Sequence, residues 1–278
     1  MTQHPLRQPW RTPPTPNPEP TTVSRIVVIG GTGQIGTKVV SRLRHLGREV
    51  RVAARSTAVD TVTGAGLESV LDGAEIVIDV SKPPTHDQRA MHDFFQTGTE
   101  NVLRAERAFS IRHHVVLSIV GSARAEVPFY RGKAAAEQIV RDSGVPFSIV
   151  HATQFFEFAP GIAAASAIDG VVTLPDALVQ PAAGADVADA IIEIALAVPL
   201  RSDVEIAGPE RMPLTDFITR SLRARGDDRT VHAAADGRYF GGPLEPDTLL
   251  PRDGARILPT TLDEWLASQS GSDANLLP

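Results

Sequence analysis

The chain contains no cysteine. That absence removes disulfides, thiolate nucleophiles, iron–sulfur clusters and every cysteine-based zinc site. Positive charge is in deficit: 27 Lys and Arg face 33 Asp and Glu, giving a formal net charge of -6. A broad electrostatic grip on nucleic acid is therefore not expected. No apolar run approaches the roughly 20 residues that span a bilayer, and the mean hydropathy is -0.04, so no membrane partner is expected. The first residues carry no apolar stretch of the secretory kind. A Gly-x-Ser-x-Gly hydrolase elbow is missing as well. What is present is average for a globular protein: 42% hydrophobic and 22% charged over 278 residues. That length suits one large domain or two small ones. The expectation is a soluble, cytoplasmic chain.

Proline is concentrated at the start, at positions 5, 9, 13, 14, 16, 18 and 20. Such spacing favours extended polyproline II, so residues 1–22 read as a disordered arm. Residues 23–155 read as a nucleotide-binding core, and 156–278 as a smaller substrate lobe with segments returning to the core.

Arg25–Ile29 is a short β-branched run, as expected of a strand buried on both faces. After a glycine cluster, Ile35, Val39, Leu43 and Leu46 recur at helical spacing, with Gly47 as the stop. Glu49–Ala54 alternates as a strand. Ser56–Ala65 is polar where a further strand would normally sit, and that strand reads as frayed, shortened or lost. Strands are expected at Ile76–Val80, His114–Ile119 and Val145–Val150. The intervening helices are expected over Asp87–Phe109 and Lys133–Asp142. Met91, Phe94 and Phe95 read as core. Beyond residue 151 the pattern predicts helices at Asp186–Ala197, N-capped by Asp186, at Thr215–Arg225 and at Leu262–Ala267, with a strand at Val204–Ala207. The fold class is α/β, a Rossmann-type doubly wound parallel sheet.

Gly30-Gly31-Thr32-Gly33-Gln34-Ile35-Gly36 lies where a strand turns into a helix. Glycine there permits a tight turn, a close approach by a pyrophosphate and close helix–strand packing. The helix amino end offers N–H groups and a positive dipole end to phosphates. Candidate dinucleotide contacts are Gly30, Thr32, Gly33, Gln34, Ile35 and Gly36. They are joined by Arg55 and Ser56 after the second strand, Val80 and Ser81 after the third, and Lys133. An NAD site places an acid after the second strand; here Ala53 and Ala54 are followed by Arg55. A guanidinium suits a 2′-phosphate, so NADPH is the expected cofactor and NADH the alternative. His86 and His92 do not share a helical face, which argues against a metal, and His113 and His114 read as structural.

On these residues the chain resembles the atypical short-chain dehydrogenase/reductases of the NmrA-like branch, which includes quinone and azo-dye reductase-like enzymes and redox-sensing regulators. The resemblance rests on IVVIGGTGQIG, LSIVG at 117–121, YRGKAAAE at 130–137 and SGVPFSIVHATQFF at 143–156. It implies catalytic roles for Ser118 and Lys133, the latter anchoring the nicotinamide ribose. The tyrosine expected four residues before the lysine is Phe129, and Tyr130 is its neighbour. Tyr130, Ser118 and His151 remain as alternative proton donors. A lost general acid costs about 10²–10⁴ in rate. A quinone, whose reduced form is a weakly basic phenolate, suffers less than a ketone. The expected substrate is thus small, aromatic or quinone-like, facing His151, Gln154, Phe155 and Phe156, with Tyr239 and Phe240 shaping the pocket. A homodimer is left open. Two other readings stand beside this one: a non-catalytic cofactor sensor and a tailoring enzyme for an aromatic natural product.

Overall fold

A computed structural model describes residues 24–273 apart from His86; the proline-rich arm lies outside the described residues. In chain order the elements are β1 (Arg25–Ile29), α1 (Gln34–His45), β2 (Glu49–Ala53), α2 (Leu67–Leu71), β3 (Ile76–Asp79), α3 (Gln88–Asp93), α4 (Thr99–Ala108), β4 (His113–Ile119), α5 (Pro128–Asp142) and β5 (Phe147–Ala152). There follow α6 (Ala159–Ala165), β6 (Ala167–Ile168), β7 (Val171–Leu174), β8 (Leu178–Val179), α7 (Gly184–Leu196) and β9 (Asp203–Ala207). The chain continues with β10 (Met212–Pro213), α8 (Leu214–Arg223), β11 (Thr230–Ala233), β12 (Arg256–Ile257) and α9 (Leu262–Asp273).

The main sheet runs β12-β9-β5-β4-β3-β1-β2 with every pairing parallel. Period-2 alternation divides its side chains. Ile26, Val28, Val115 and Val150 pack with Ile35, Val39 and Leu43 of α1 and Val187 and Ile191 of α7. Val27, Ile29 and Val77 pack on the opposite face with Leu67 of α2 and Val102 of α4. Both faces are covered, which is why these strands read as nearly continuous apolar runs. β2 is an edge, and residues 56–65 carry no strand beyond it, as the polar composition there implies. Helix Asp87–Phe109 is interrupted by a π-turn over Phe94–Gly98; Asp87 caps its start through Ala90 N–H at 2.9 Å.

A second core lies around Phe156, Ile162, Leu174, Phe217, Leu249 and Trp265, with β11-β7-β6 as its small sheet. Not all of the C-terminal half belongs to it. β9 pairs with β5, β12 pairs with β9, and α7 packs beside α1.

Three expectations are corrected. α5 starts at Pro128, not Lys133; proline lacks an N–H and fits the first helical position. β5 is displaced two residues along, to Phe147–Ala152, because Pro146 has no donor for the ladder. α7 begins at Gly184, and Asp186 is not its cap. Its carboxylate accepts from Thr260 N–H at 3.0 Å. The cap comes from elsewhere: Glu157 accepts from Gly184 N–H at 3.0 Å.

Candidate functional site

The turn between β1 and α1 is built by its glycines. Gly30 adopts φ +76°, and a Cβ there would lie 2.7 Å from Ser81 Cα. Gly33 N–H donates to Gly30 O at 2.9 Å, closing the turn. A Cβ at Gly36 would sit 2.1 Å from Gly30 O, so only glycine lets α1 pack this close to the end of β1. Gly36 is accordingly buried behind the turn and is not part of the cavity wall. Thr32, Gly33 and Gln34 are exposed, no side chain caps α1, and no acid stands in its first turn. A bare helix amino end without a capping carboxylate fits a pyrophosphate.

This turn opens on a cavity of about 1330 Å³ over the carboxyl ends of the strands. Ordinary single-ligand sites measure about 300–1,000 Å³, so a dinucleotide and a second molecule fit together. Gly30, Thr32, Gly33, Gln34 and Ile35 line it, as do Arg55, Ser56, Val80 and Ser81. Arg55 is exposed at the rim. The one carboxylate near it on the same loop, Asp60, is occupied: it accepts from Val62 N–H at 2.8 Å and Thr63 N–H at 3.2 Å. Ser81 is turned back on Asp79, which accepts from its N–H at 2.9 Å and its hydroxyl at 2.5 Å.

On the opposite wall stands α5. Lys133 is buried, donates to Leu117 O at 2.8 Å and lies 5.6 Å from the centre of the Phe95 ring. Burial pulls its ammonium below the usual lysine range, against the attraction of Asp79 and Glu137. Phe129, one turn before it, lines the same cavity. Gly132 is tight against Phe95, which a Cβ would approach to 2.2 Å. Met91 and Phe94, expected only as core, also reach the cavity wall. For Phe94 the reason is the π-turn that begins there and breaks the helical spacing; Met91 precedes it and is core as well as wall.

Glu137, one turn beyond Lys133, went unnoticed in the sequence. It is buried and accepts from the Ser118 hydroxyl and from His151 Nε2, the latter at 3.0 Å. Ser118 and His151 are register partners on β4 and β5 and face α5 together. Arg141 closes the cluster, 3.2 Å from Glu137 and 2.9 Å from Asp203. The Ser118 proton is thereby committed to Glu137. Ser118 also lines the cavity. His151 is likewise turned to Glu137 and does not line the cavity. The two-residue displacement of β5 is the reason: it puts His151 inside the strand.

Glu137 also sets an expectation for acid stability. Despite burial, the His151 and Ser118 hydrogen bonds hold its carboxyl down to about 2, from an ordinary 4.5. A depressed carboxyl contributes stability that is complete above pH 4.5 and lost as pH falls through 2. At 1.36 kcal/mol per unit the contribution is about 3 kcal/mol. Glu137→Gln should lower unfolding stability at pH 7 by up to that amount, and urea titrations should show the deficit shrinking below pH 4.5. A pH-independent deficit would refute the ionic origin.

The remaining wall belongs to the loop after β5 and the second lobe. Gln154 and Phe155 line the cavity; Phe156 does not, because its ring packs against Phe217 and Trp265 in the second core. Tyr130 is buried, with its oxygen 3.0 Å from Gln154 Nε2 and its ring edge-on to that of Tyr239, 6.3 Å between centres. Phe240 is 38% exposed and adopts φ +47°. A bulky residue there costs about 1–2 kcal/mol, held by the Tyr239–Gly242 turn (2.8 and 3.1 Å) at the cavity mouth. Thr153 Oγ1 and Gln154 Oε1 are buried without a partner.

A parallel sheet, a glycine turn under a bare helix end and a covered cavity at the strand ends define a Rossmann-type dinucleotide-binding fold. Solved structures of NAD- and NADP-binding reductases and epimerases share this fold. No protein-family model matches the chain. A (4-alkanoyl-5-oxo-2,5-dihydrofuran-3-yl)methyl phosphate reductase of Streptomyces griseus is 33% identical over 175 residues, 56% of this chain and 58% of the relative. The chain spans about half the length of the curated relatives it matches. Among solved structures, a dTDP-4-dehydrorhamnose reductase of Bacillus anthracis in complex with NADP superposes with a TM-score of 0.68 at 13% identity, covering 90% of this chain and 100% of that one. An NADPH-dependent quinone oxidoreductase of Escherichia coli, complexed with NADPH, gives 0.62 at 20% identity, covering 88% and 99%. Others of this fold hold NAD. Among the described residues no helix is long and apolar enough to cross a membrane.

Proposed function

We propose that the protein is an NADPH-dependent reductase of a small, flat, conjugated carbonyl acceptor, quinone-like or enone-like. One observation carries the reading. A single cavity joins the bare amino end of α1 to a wall of aromatic rings, and Phe129 occupies the position from which a tyrosine would donate a proton. Bound there, the nicotinamide cofactor supplies the reducing equivalents. Thr32, Gly33 and Gln34 would hold the diphosphate, and Lys133 the nicotinamide ribose. Phe94, Phe129, Phe158 and Phe240 would enclose the acceptor and exclude water. With Phe129 apolar and the Ser118 proton committed to Glu137, the site favours acceptors whose reduced form spreads its negative charge. The name of the Streptomyces relative describes such a compound, a dihydrofuranone bearing an alkanoyl group, and the Escherichia neighbour is named for quinones.

The test is NADPH oxidation by the purified protein with a panel of quinones and butenolides. Turnover is expected. Binding of NADPH without turnover on any acceptor would shift support to a cofactor sensor, which the same missing donors would suit.

Arg55 would read the 2′-phosphate, since Asp60 is engaged with its own loop. A charge-assisted hydrogen bond at an exposed rim is worth about 1.5 kcal/mol. Arg55→Ala should weaken NADPH about tenfold and leave NADH unchanged, measured by nicotinamide fluorescence. Equal affinities of the wild type for both cofactors would overturn the preference.

A further inference from the structure

The cavity wall is divided by charge. Among the described residues its cations are Arg55, Lys82 and Lys133, and it holds no histidine. All three stand in the nucleotide-binding half of the chain. Arg55 follows β2, Lys82 follows Ser81 after β3, and Lys133 on α5 is tied to Leu117 O at 2.8 Å. The other side of the cavity comes from the loop after β5, from α6 and from the loop after β11. Their described residues bring no cation to it. The one charged side chain they bring is a carboxylate, Glu157. It accepts from Gly184 N–H at 3.0 Å and stands 3.5 Å from Lys38, which does not itself line the cavity. Around it the wall is apolar: Phe155, Phe158, Ile162, Ala165 and Phe240.

We propose that the acceptor is uncharged, and that this wall rejects phosphorylated acceptors such as the one in the name of the Streptomyces relative. This rests on the reductase reading above. In that reading the dinucleotide takes the bare end of α1, Arg55 and Lys133. Lys82 is exposed on the same side, one residue past the Ser81 against which Gly30 packs. A phosphate ester carries about 1.5 to 2 negative charges at neutral pH. On the acceptor, that charge would exchange water for aromatic rings and a carboxylate, with no cation to meet it. A neutral acceptor leaves nothing unpaired there, and a site can select by such a penalty alone. The wall also has room for the converse. Gly161 and Ala165 on α6 are exposed and line the cavity, and a Cβ at Gly161 meets nothing within 4 Å. A long basic side chain at either position would add a cation without displacing the core.

The experiment uses two pairs of acceptors, each an alcohol and its phosphate ester. One pair is the dihydrofuranone phosphate of the relative's name and its dephosphorylated form. The other is 2-(2-hydroxyethyl)-1,4-naphthoquinone and its phosphate. NADPH oxidation is followed for wild type, Gly161→Lys and Ala165→Arg, with NADPH affinity and melting temperature as controls. In wild type, kcat/KM should favour the alcohol by at least about 10² in each pair that is reduced, the penalty of an unpaired buried charge. Each variant should raise kcat/KM for the phosphates about tenfold, the worth of one charge-assisted hydrogen bond, and leave the alcohols and NADPH affinity unchanged. Equal or better turnover of either phosphate by wild type would overturn the proposal and point instead to the amino end of α5, which no side chain caps. Folded variants that both gain nothing on the phosphates would overturn it as well, since charge on this wall would then not select. Either result leaves the reductase reading intact. Wild type that binds NADPH and reduces none of the four compounds would take down that reading and this inference together.

Discussion

Phe129→Tyr should confer reduction of unconjugated ketones, raising kcat/KM for them by about 10²-fold or more. The new hydroxyl would stand one helical turn before Lys133 on the wall of the same cavity. The buried ammonium there would help stabilise a tyrosinate. An alkoxide needs a proton as it forms, and neither Phe129 nor the committed Ser118 can provide one. Turnover of quinones should change little, because a phenolate needs no acid. The assay is NADPH oxidation with a saturated ketone such as cyclohexanone beside a quinone. A folded variant with normal NADPH affinity and no gain on the ketone would show that position 129 does not face the reacting oxygen.

Gly36→Ala should abolish measurable dinucleotide binding. The added methyl would meet Gly30 O at 2.1 Å and Gly31 Cα at 2.7 Å, both of them backbone that cannot rotate away. α1 would have to lift from β1, at a cost of about 1–3 kcal/mol or more. The same displacement would move the N–H groups meant for the diphosphate, so a loss of at least about 10² in NADPH affinity is expected. Gly47→Ala is the control. Unlike Gly36 it stands at positive φ, +71°, and it has nothing within 4 Å. It should cost about 1–2 kcal/mol of stability and leave affinity untouched. Calorimetric titration and thermal melts of the two variants separate these outcomes. Wild-type affinity in Gly36→Ala would mean that the turn does not carry the phosphates.

Most of the main sheet was legible because its strands are buried on both faces and follow glycine or proline punctuation. The glycine turn was legible for the same reason: few backbones other than a tight strand-to-helix turn use that spacing. The lost outer strand could be read from the polar run at 56–65. The site was less legible where it depends on pairing between distant residues. Glu137 looks like an ordinary helix acid until β4 and β5 bring Ser118 and His151 against it. Gln154, Tyr130 and Tyr239 are far apart in the chain, and their contacts exist only in three dimensions. Phe155 and Phe156 are adjacent yet divide between cavity and second core, and residues in an irregular loop give no period from which to foresee this.

The pairing of β5 with β9, and of β9 with β12, bears on how the protein is made. A ribosome must pass Ile257 before the far side of the main sheet can close. Such long-range pairing slows folding; β5 presents an open edge to neighbouring nascent chains until β9 pairs with it, and β9 does so until β12 arrives. Truncation before β9 should therefore yield not a free-standing nucleotide module but an aggregating fragment.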